Sequence, residues 1–210
     1  MPGCPYFLAN TFAHLLGGLI ITGISTENPF IEDFDGNMIP HIFASIIAFV
    51  LLFVVLLSNP GPFKYIVFIV LCVIFGQIIS GFVKRLKMKN TLLSTLVLVG
   101  TVFLTMTVIG IFDKGNMLSW ESYLFAGLLG LIVASFILLF MNKKSKEAAV
   151  FSQWLNWGIV LLFTLFIGYD VQVLKEHAKL CKSNPDYVQE SLNLYLDILN
   201  IFQGIGNSDT

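Results

Sequence analysis

The sequence predicts an all-α, polytopic integral membrane protein, a seven-helix bundle with a short semi-polar seventh helix. Three observations lead there. Of the 210 residues, 56% are hydrophobic and only 12% charged, whereas a soluble domain carries roughly a quarter charged residues. Mean hydropathy is +0.83, and 20 phenylalanines add more apolar surface than a soluble core of this size could bury, so the lipid bilayer must be the solvent for most of it. Six segments supply the run of about 20 apolar residues that a hydrocarbon core demands.

Taken in order, the first helix is expected at 6–24. No charged side chain precedes Glu27. A cleaved signal peptide would open on Lys or Arg, so a retained helix is expected. The second helix (41–57) and the third (63–83) are separated by Asn59-Pro60-Gly61-Pro62, a turn that cannot continue a helix. Lys84-Arg85-Leu86-Lys87-Met88-Lys89 reads as a charged loop before a fourth helix at 91–112. Asp113-Lys114-Gly115-Asn116 makes a tight connection to a fifth at 120–141, and Asn142-Lys143-Lys144-Ser145-Lys146-Glu147 is a second charged loop before a sixth at 151–174. Trp120, Trp154 and Trp157 suit the bilayer interface. No internal repeat is evident, and a single transmembrane domain is expected over 1–210.

The seventh segment, 191–205, is mixed. Asn193, Asp197, Asn200 and Gly204 recur at spacings of four, three and four, which places them on one helical face. A helix lying flat on the membrane would show the same pattern. Its polar face would then use Lys or Arg to hold headgroups, and this face has neither, which favours burial inside the bundle.

Net charge is −1, so no basic field points to nucleic acid. Cys4, Cys72 and Cys181 are too scattered for a disulfide framework or a zinc site and read as packing residues. Orientation is left open. Seven Lys/Arg fall on one predicted side and five on the other, namely Lys64, Lys114, Lys175, Lys179 and Lys182, a split too even to choose.

An ionisable group inside a membrane helix is a functional candidate by default, because burying it costs several kcal/mol (~3 or more). Asp170 closes a long uncharged run, and Asp197 is centred in the seventh segment. No Lys or Arg lies inside any segment away from its ends, and Arg85 is the only arginine. A buried carboxylate here can be protonated, bind a cation, or share a proton with a second carboxylate. The two acids sit on consecutive helices, which are expected to be neighbours. Such a pair is both a proton sensor and an oxygen-donor candidate for Ca²⁺. Asn156, Asn193 and Asn200 are candidate polar lining along the same helices. Asp170 at the interface, snorkelling to water, is the plain alternative. His14 and Gln77 read as hydrogen-bonded packing, and His41 and His177 as solvated helix ends.

Gly168-Tyr169-Asp170-Val171-Gln172, followed by Ser191-Leu192-Asn193-Leu194-Tyr195-Leu196-Asp197-Ile198-Leu199-Asn200-Ile201-Phe202, resembles the Bax inhibitor-1 (transmembrane Bax-inhibitor-motif) family. Members show a Tyr-Asp-x-Gln element and then a Leu-Tyr-Leu-Asp-hydrophobic-x-Asn-x-Phe element. The resemblance implies a seven-helix bundle, a pH-regulated Ca²⁺ leak, and suppression of cell death through membrane-protein partners. It implies no enzyme activity and no tightly bound cofactor. It makes Asp170 and Asp197 the family's two aspartates, acting in pH sensing and ion gating. The membrane would be endoplasmic reticulum or Golgi in a eukaryotic or viral setting and the plasma membrane in a bacterium. Some members carry an Arg near the end of the second helix, and 41–64 has none. In the family's usual N-inside arrangement the basic 83–90 stretch would also lie outside the cytosol, against the positive-inside rule.

Two other classes compete. Intramembrane aspartyl proteases of the presenilin type also place a Tyr-Asp pair on a sixth helix, and a carboxylate dyad suits water activation. They carry Gly-x-Gly-Asp on the next helix, however, where this chain has Leu194-Tyr195-Leu196-Asp197. A non-conducting membrane adapter would present helix faces of the same composition.

Overall fold

A computed structural model describes residues 6–30, 39–112, 117–142, 145–180 and 185–208. Cys4, Cys181, Lys114, Lys143, Lys144 and Lys182, with most of the acidic 26–39 stretch, lie outside the described residues. Seven α-helices and one short 3-10 turn make up the described chain, with no strand among the described residues: α1 Phe7–Glu27, α2 Ile39–Leu57, α3 Pro62–Met88, α4 Leu92–Phe112, the turn Met117–Trp120, α5 Glu121–Phe140, α6 Lys146–Leu180 and α7 Tyr187–Ser208. The first six elements of span length are long and apolar enough to cross a membrane. The protein is therefore a multi-pass integral membrane protein. Its outer faces are apolar: large side chains such as Phe43, Phe53, Leu104, Phe136 and Leu161 are exposed, as helices solvated by lipid require.

Several boundaries correct the sequence-based expectation. Lys84–Lys89 is the end of α3 and not a loop: Leu86 is 1% exposed, and the helix runs to a Lys89 cap whose N–H bonds Arg85 O at 3.1 Å. Asn90, at φ 57°, ends it in the left-handed conformation that Asn tolerates. Lys146 and Glu147 likewise open α6, capped by the Ser145 hydroxyl, which accepts the Ala148 N–H at 3.1 Å. α7 begins at Tyr187 and ends at Ser208, 22 residues in place of the shorter segment expected. The common cause is that a search for apolar runs stops at the first charge. A helix continues through the interface, where charged side chains are solvated, so α3 reaches about 40 Å against a hydrocarbon core of about 30 Å.

The helices sort into two compact units, Met1–Asn90 with Ala178–Tyr195, and Thr91–His177 with Leu196–Thr210. In the first, α1 and α2 pack on α3, whose span is the most buried of the six. The α1–α3 approach depends on Gly76, where a Cβ would lie 2.6 Å from both Thr22 O and Ser25 Cβ. Polar side chains hold the seam. Gln77 Nε2 donates to Ser25 O and Oγ at 2.8 and 2.7 Å, and its Oε1 accepts the Phe30 N–H at 2.8 Å, so the amide closes the end of α1. His14 bonds Asn10 O at 2.7 Å and stacks on Tyr187. Both are the packing roles expected.

Lys64 departs from expectation. Counted from the sequence as a loop cation, it is the third residue of α3 and is 1% exposed. Its ammonium donates to Ser58 O at 3.1 Å, Asp186 Oδ2 at 2.6 Å and Gln189 Oε1 at 3.2 Å. The chain does contain a buried cation, and its three N–H donors are spent on these three acceptors.

In the second unit the C-terminal half of α7 lies against α6, with Asn200 beside α5, and α4 packs on α6. Gly204 lets α7 close on α6, since a Cβ there would meet Val160 at 2.7 Å and Asn156 O at 3.1 Å. α5 is the least buried span.

Candidate functional site

Two carboxylates form the site. Asp197 lies in the middle of α7 and is 4% exposed; Asp170 is half-buried on α6. The two lie close enough to interact electrostatically. Two ionised carboxylates at such range repel, and they can hydrogen-bond to each other only if they share a proton. One oxygen of Asp197, Oδ2, is buried with no hydrogen-bond partner. A buried acceptor left open costs about 1–3 kcal/mol, so this atom can accept a further proton or cation.

Local packing explains why these two acids meet. Asp170 faces Asp197, while Asn156 and Val160 face Gly204, so α6 and the C-terminal half of α7 run antiparallel. Val171, next to Asp170, fits against Gly110 of α4, where a Cβ would come within 2.9 Å of it. One turn beyond Asp170, Gln172 Oε1 accepts the Met117 N–H at 3.0 Å, and Lys175 Nζ donates to Ile111 O at 2.7 Å. Both sides of the α4–α5 connection are thus tied to the stretch of α6 that carries Asp170. Sequence reasoning gave Gln172 and Lys175 no role; the only signal was the place of Gln172 in the Tyr-Asp-x-Gln element.

The burial expected of the seventh helix is found. Within 191–205, Gln203 alone is exposed, which a helix lying flat on a membrane surface does not permit. The three asparagines are dispersed. Asn200 is half-buried, turns its amide to Leu196 O of its own helix at 2.8 Å, and borders an apolar groove of about 300 Å³ between α5 and α6. Asn156 is half-buried with its carbonyl toward Gly204. Asn193 is half-buried in the first unit. No group of three or more His, Cys, Asp or Glu that could hold a metal occurs among the described residues. Two carboxylates offer at most four oxygens where Ca²⁺ takes six to eight, so the donor set suits an ion in passage better than a resident one.

Sequence reasoning assigned the Tyr195 hydroxyl, in the first unit, no role. Tyr195 is fully buried, and its hydroxyl lies 2.6 Å from Thr22 Oγ1 of α1, which also reaches Gly18 O at 2.9 Å and Cys72 O at 3.1 Å. Phe68 and Phe75 flank the ring. Two residues before Asp197, α7 is therefore fixed to α1 by a buried hydrogen bond.

Compared with known proteins, the chain matches the family described as "Inhibitor of apoptosis-promoting Bax1" over residues 5–207. It belongs to the Bax inhibitor-1 family. The match extends the resemblance, carried in the sequence by the last fifty residues, to all seven helices. Among relatives, a Borreliella burgdorferi protein is 26% identical over 93% of this chain and 88% of its own length. Protein lifeguard 4 of Mus musculus is 32% identical over 52% of this chain and 42% of the mouse protein. A membrane protein of Streptococcus pyogenes serotype M3 is 27% identical over 76% of this chain and 69% of its own length. Proteins similar to this chain thus occur in bacteria and in a mammal.

Proposed function

We propose that this Bax inhibitor-1 family member is a pH-sensitive calcium leak, with no enzyme activity, in which the Asp170–Asp197 pair gates the ion path. The reading is supported by two interacting carboxylates on neighbouring helices, Asp197 buried with its Oδ2 left open and Asp170 half-buried. While the pair shares a proton, its hydrogen bond ties α6 to α7. Removing it leaves two like charges in a low-dielectric setting, which either drive the helices apart or recruit a cation. Calcium is cargo in this scheme. Asn156, Asn193 and Asn200 are the polar groups along the two helices that such an ion would meet. The family's description as an inhibitor of apoptosis-promoting Bax1 supports a part in suppressing cell death, and modulation of calcium stores is the route proposed for it in this chain.

The test is calcium uptake into liposomes reconstituted with purified protein. Uptake above that of empty vesicles, changed strongly by Asp170→Asn, supports the leak. Equal uptake with and without protein across a range of pH would remove it and favour an adapter acting through membrane-protein partners.

A further inference from the structure

We propose that Lys64 is a positioning residue that locks the axial register of α7 through the Asp186 carboxylate. Its position is unfavourable twice over. A cation in the first turn of α3 opposes the helix dipole, and a side chain 1% exposed has lost its hydration. Asp186 offsets both. Its Oδ2 takes the Lys64 ammonium at 2.6 Å, while its Oδ1 accepts the Gln189 N–H at 3.0 Å and so caps the first turn of α7. Gln189 Oε1, in that same turn, takes a second ammonium proton and Ser58 O, just past the end of α2, takes the third.

One ammonium therefore joins three helix ends: the finish of α2, the start of α3 and the start of α7. A slide of α7 by a single residue, about 1.5 Å, breaks two of the three bonds together. Around the same point Phe7 and His14 of α1 pack on Tyr187, the first residue of α7. A buried ion pair adds little stability over an apolar pair of the same volume, and fixing register is its best-attested use. The helix so fixed is the one that carries Asp197, 11 residues beyond Asp186. The lock stands on the Lys64 geometry alone; its effect on ion passage rests on the calcium reading above.

The test is hydrogen–deuterium exchange on the reconstituted full chain, wild type against Lys64→Met/Asp186→Asn. Asn keeps the helix cap, and the double change leaves no charge unpaired, so fold and thermal stability should be kept. The expected result is exchange about tenfold faster at the 189–192 amides, with the α5 amides unchanged. Amides within about twofold of wild type would overturn the lock, because a merely stabilising pair predicts that. Should the double variant fail to fold, wild type alone decides. The first-turn amides of α7 should exchange about tenfold more slowly than those of α6 at 147–149, and equal or faster exchange overturns the proposal. Calcium uptake by the double variant separates the two ideas: faster amide exchange with unaltered uptake supports the lock and counts against the calcium reading.

Discussion

The Tyr195 hydroxyl lies 2.6 Å from Thr22 Oγ1, inside a cluster that admits no solvent. Tyr195→Phe should lower unfolding stability by about 1 kcal/mol, since Thr22 keeps its two carbonyl acceptors. Thr22→Val should cost more, about 1–3 kcal/mol, because it strands a buried phenol. Thermal unfolding in detergent checks both. Equal midpoints for the two variants and wild type would show that the contact holds nothing.

Two glycines of the first unit should respond with opposite signs. Gly76→Ala puts a methyl 2.6 Å from the Thr22 carbonyl, a backbone atom that cannot turn aside, so a loss of about 1–3 kcal/mol is expected. A Cβ on Gly17 meets nothing within 4 Å, and Gly17→Ala should add up to about 1 kcal/mol through helix propensity. A stability series that reversed the order would contradict the α1–α3 packing.

Gln77→Leu should be among the most damaging single changes of similar volume. It removes the donor to Ser25 and the acceptor of the Phe30 N–H together, leaving the buried Ser25 carbonyl open at about 1–3 kcal/mol. Gln77→Glu should also destabilise, since it keeps the acceptor and loses both N–H donors. Unfolding midpoints like that of wild type would contradict the closing role assigned to the amide.

How much of this was legible in the sequence follows from what each residue has to do. The spans were legible because hydrocarbon leaves the backbone no other means of satisfying its hydrogen bonds. Their ends were not: Lys84 through Met88 and Lys146 look like loops, yet are helical, because a helix continues through the interface where charged side chains are solvated. Asp170 and Asp197 stood out because a carboxylate in an apolar run has few means of being satisfied. Lys64 did not, because its partner Asp186 is 122 residues away and both seemed to lie in solvated connections. The Tyr195 hydroxyl bond left no sequence signal, because its partner Thr22 is 173 residues away. The spacing of Asn200 put it on the Asp197 face, but an amide can bond its own helix, and this one does.

The connection between α4 and α5 offers a further check. Gln172→Leu should free the Met117 N–H and loosen the tie between that connection and the α6 turn after Asp170. Hydrogen exchange at 117–120 should quicken by about tenfold, as for the loss of a local hydrogen bond of about 1 kcal/mol or more. Exchange unchanged there would show that Lys175, through Ile111 O, holds the connection alone.

Competition between proton and calcium at the aspartate pair tests the central claim most directly. In the proposed mechanism calcium and the shared proton exclude one another at the pair, so calcium binding must release the proton, and affinity must rise as pH rises. Asp197→Asn removes one titratable carboxylate while leaving a group able to hydrogen-bond Asp170. The measurement is calcium binding to the purified protein, with proton release followed in parallel, from mildly acid to mildly alkaline pH. Wild type should bind more tightly toward alkaline pH with protons released, and Asp197→Asn should lose most of both effects. Binding that ignores pH, or that survives the substitution unchanged, would contradict the account.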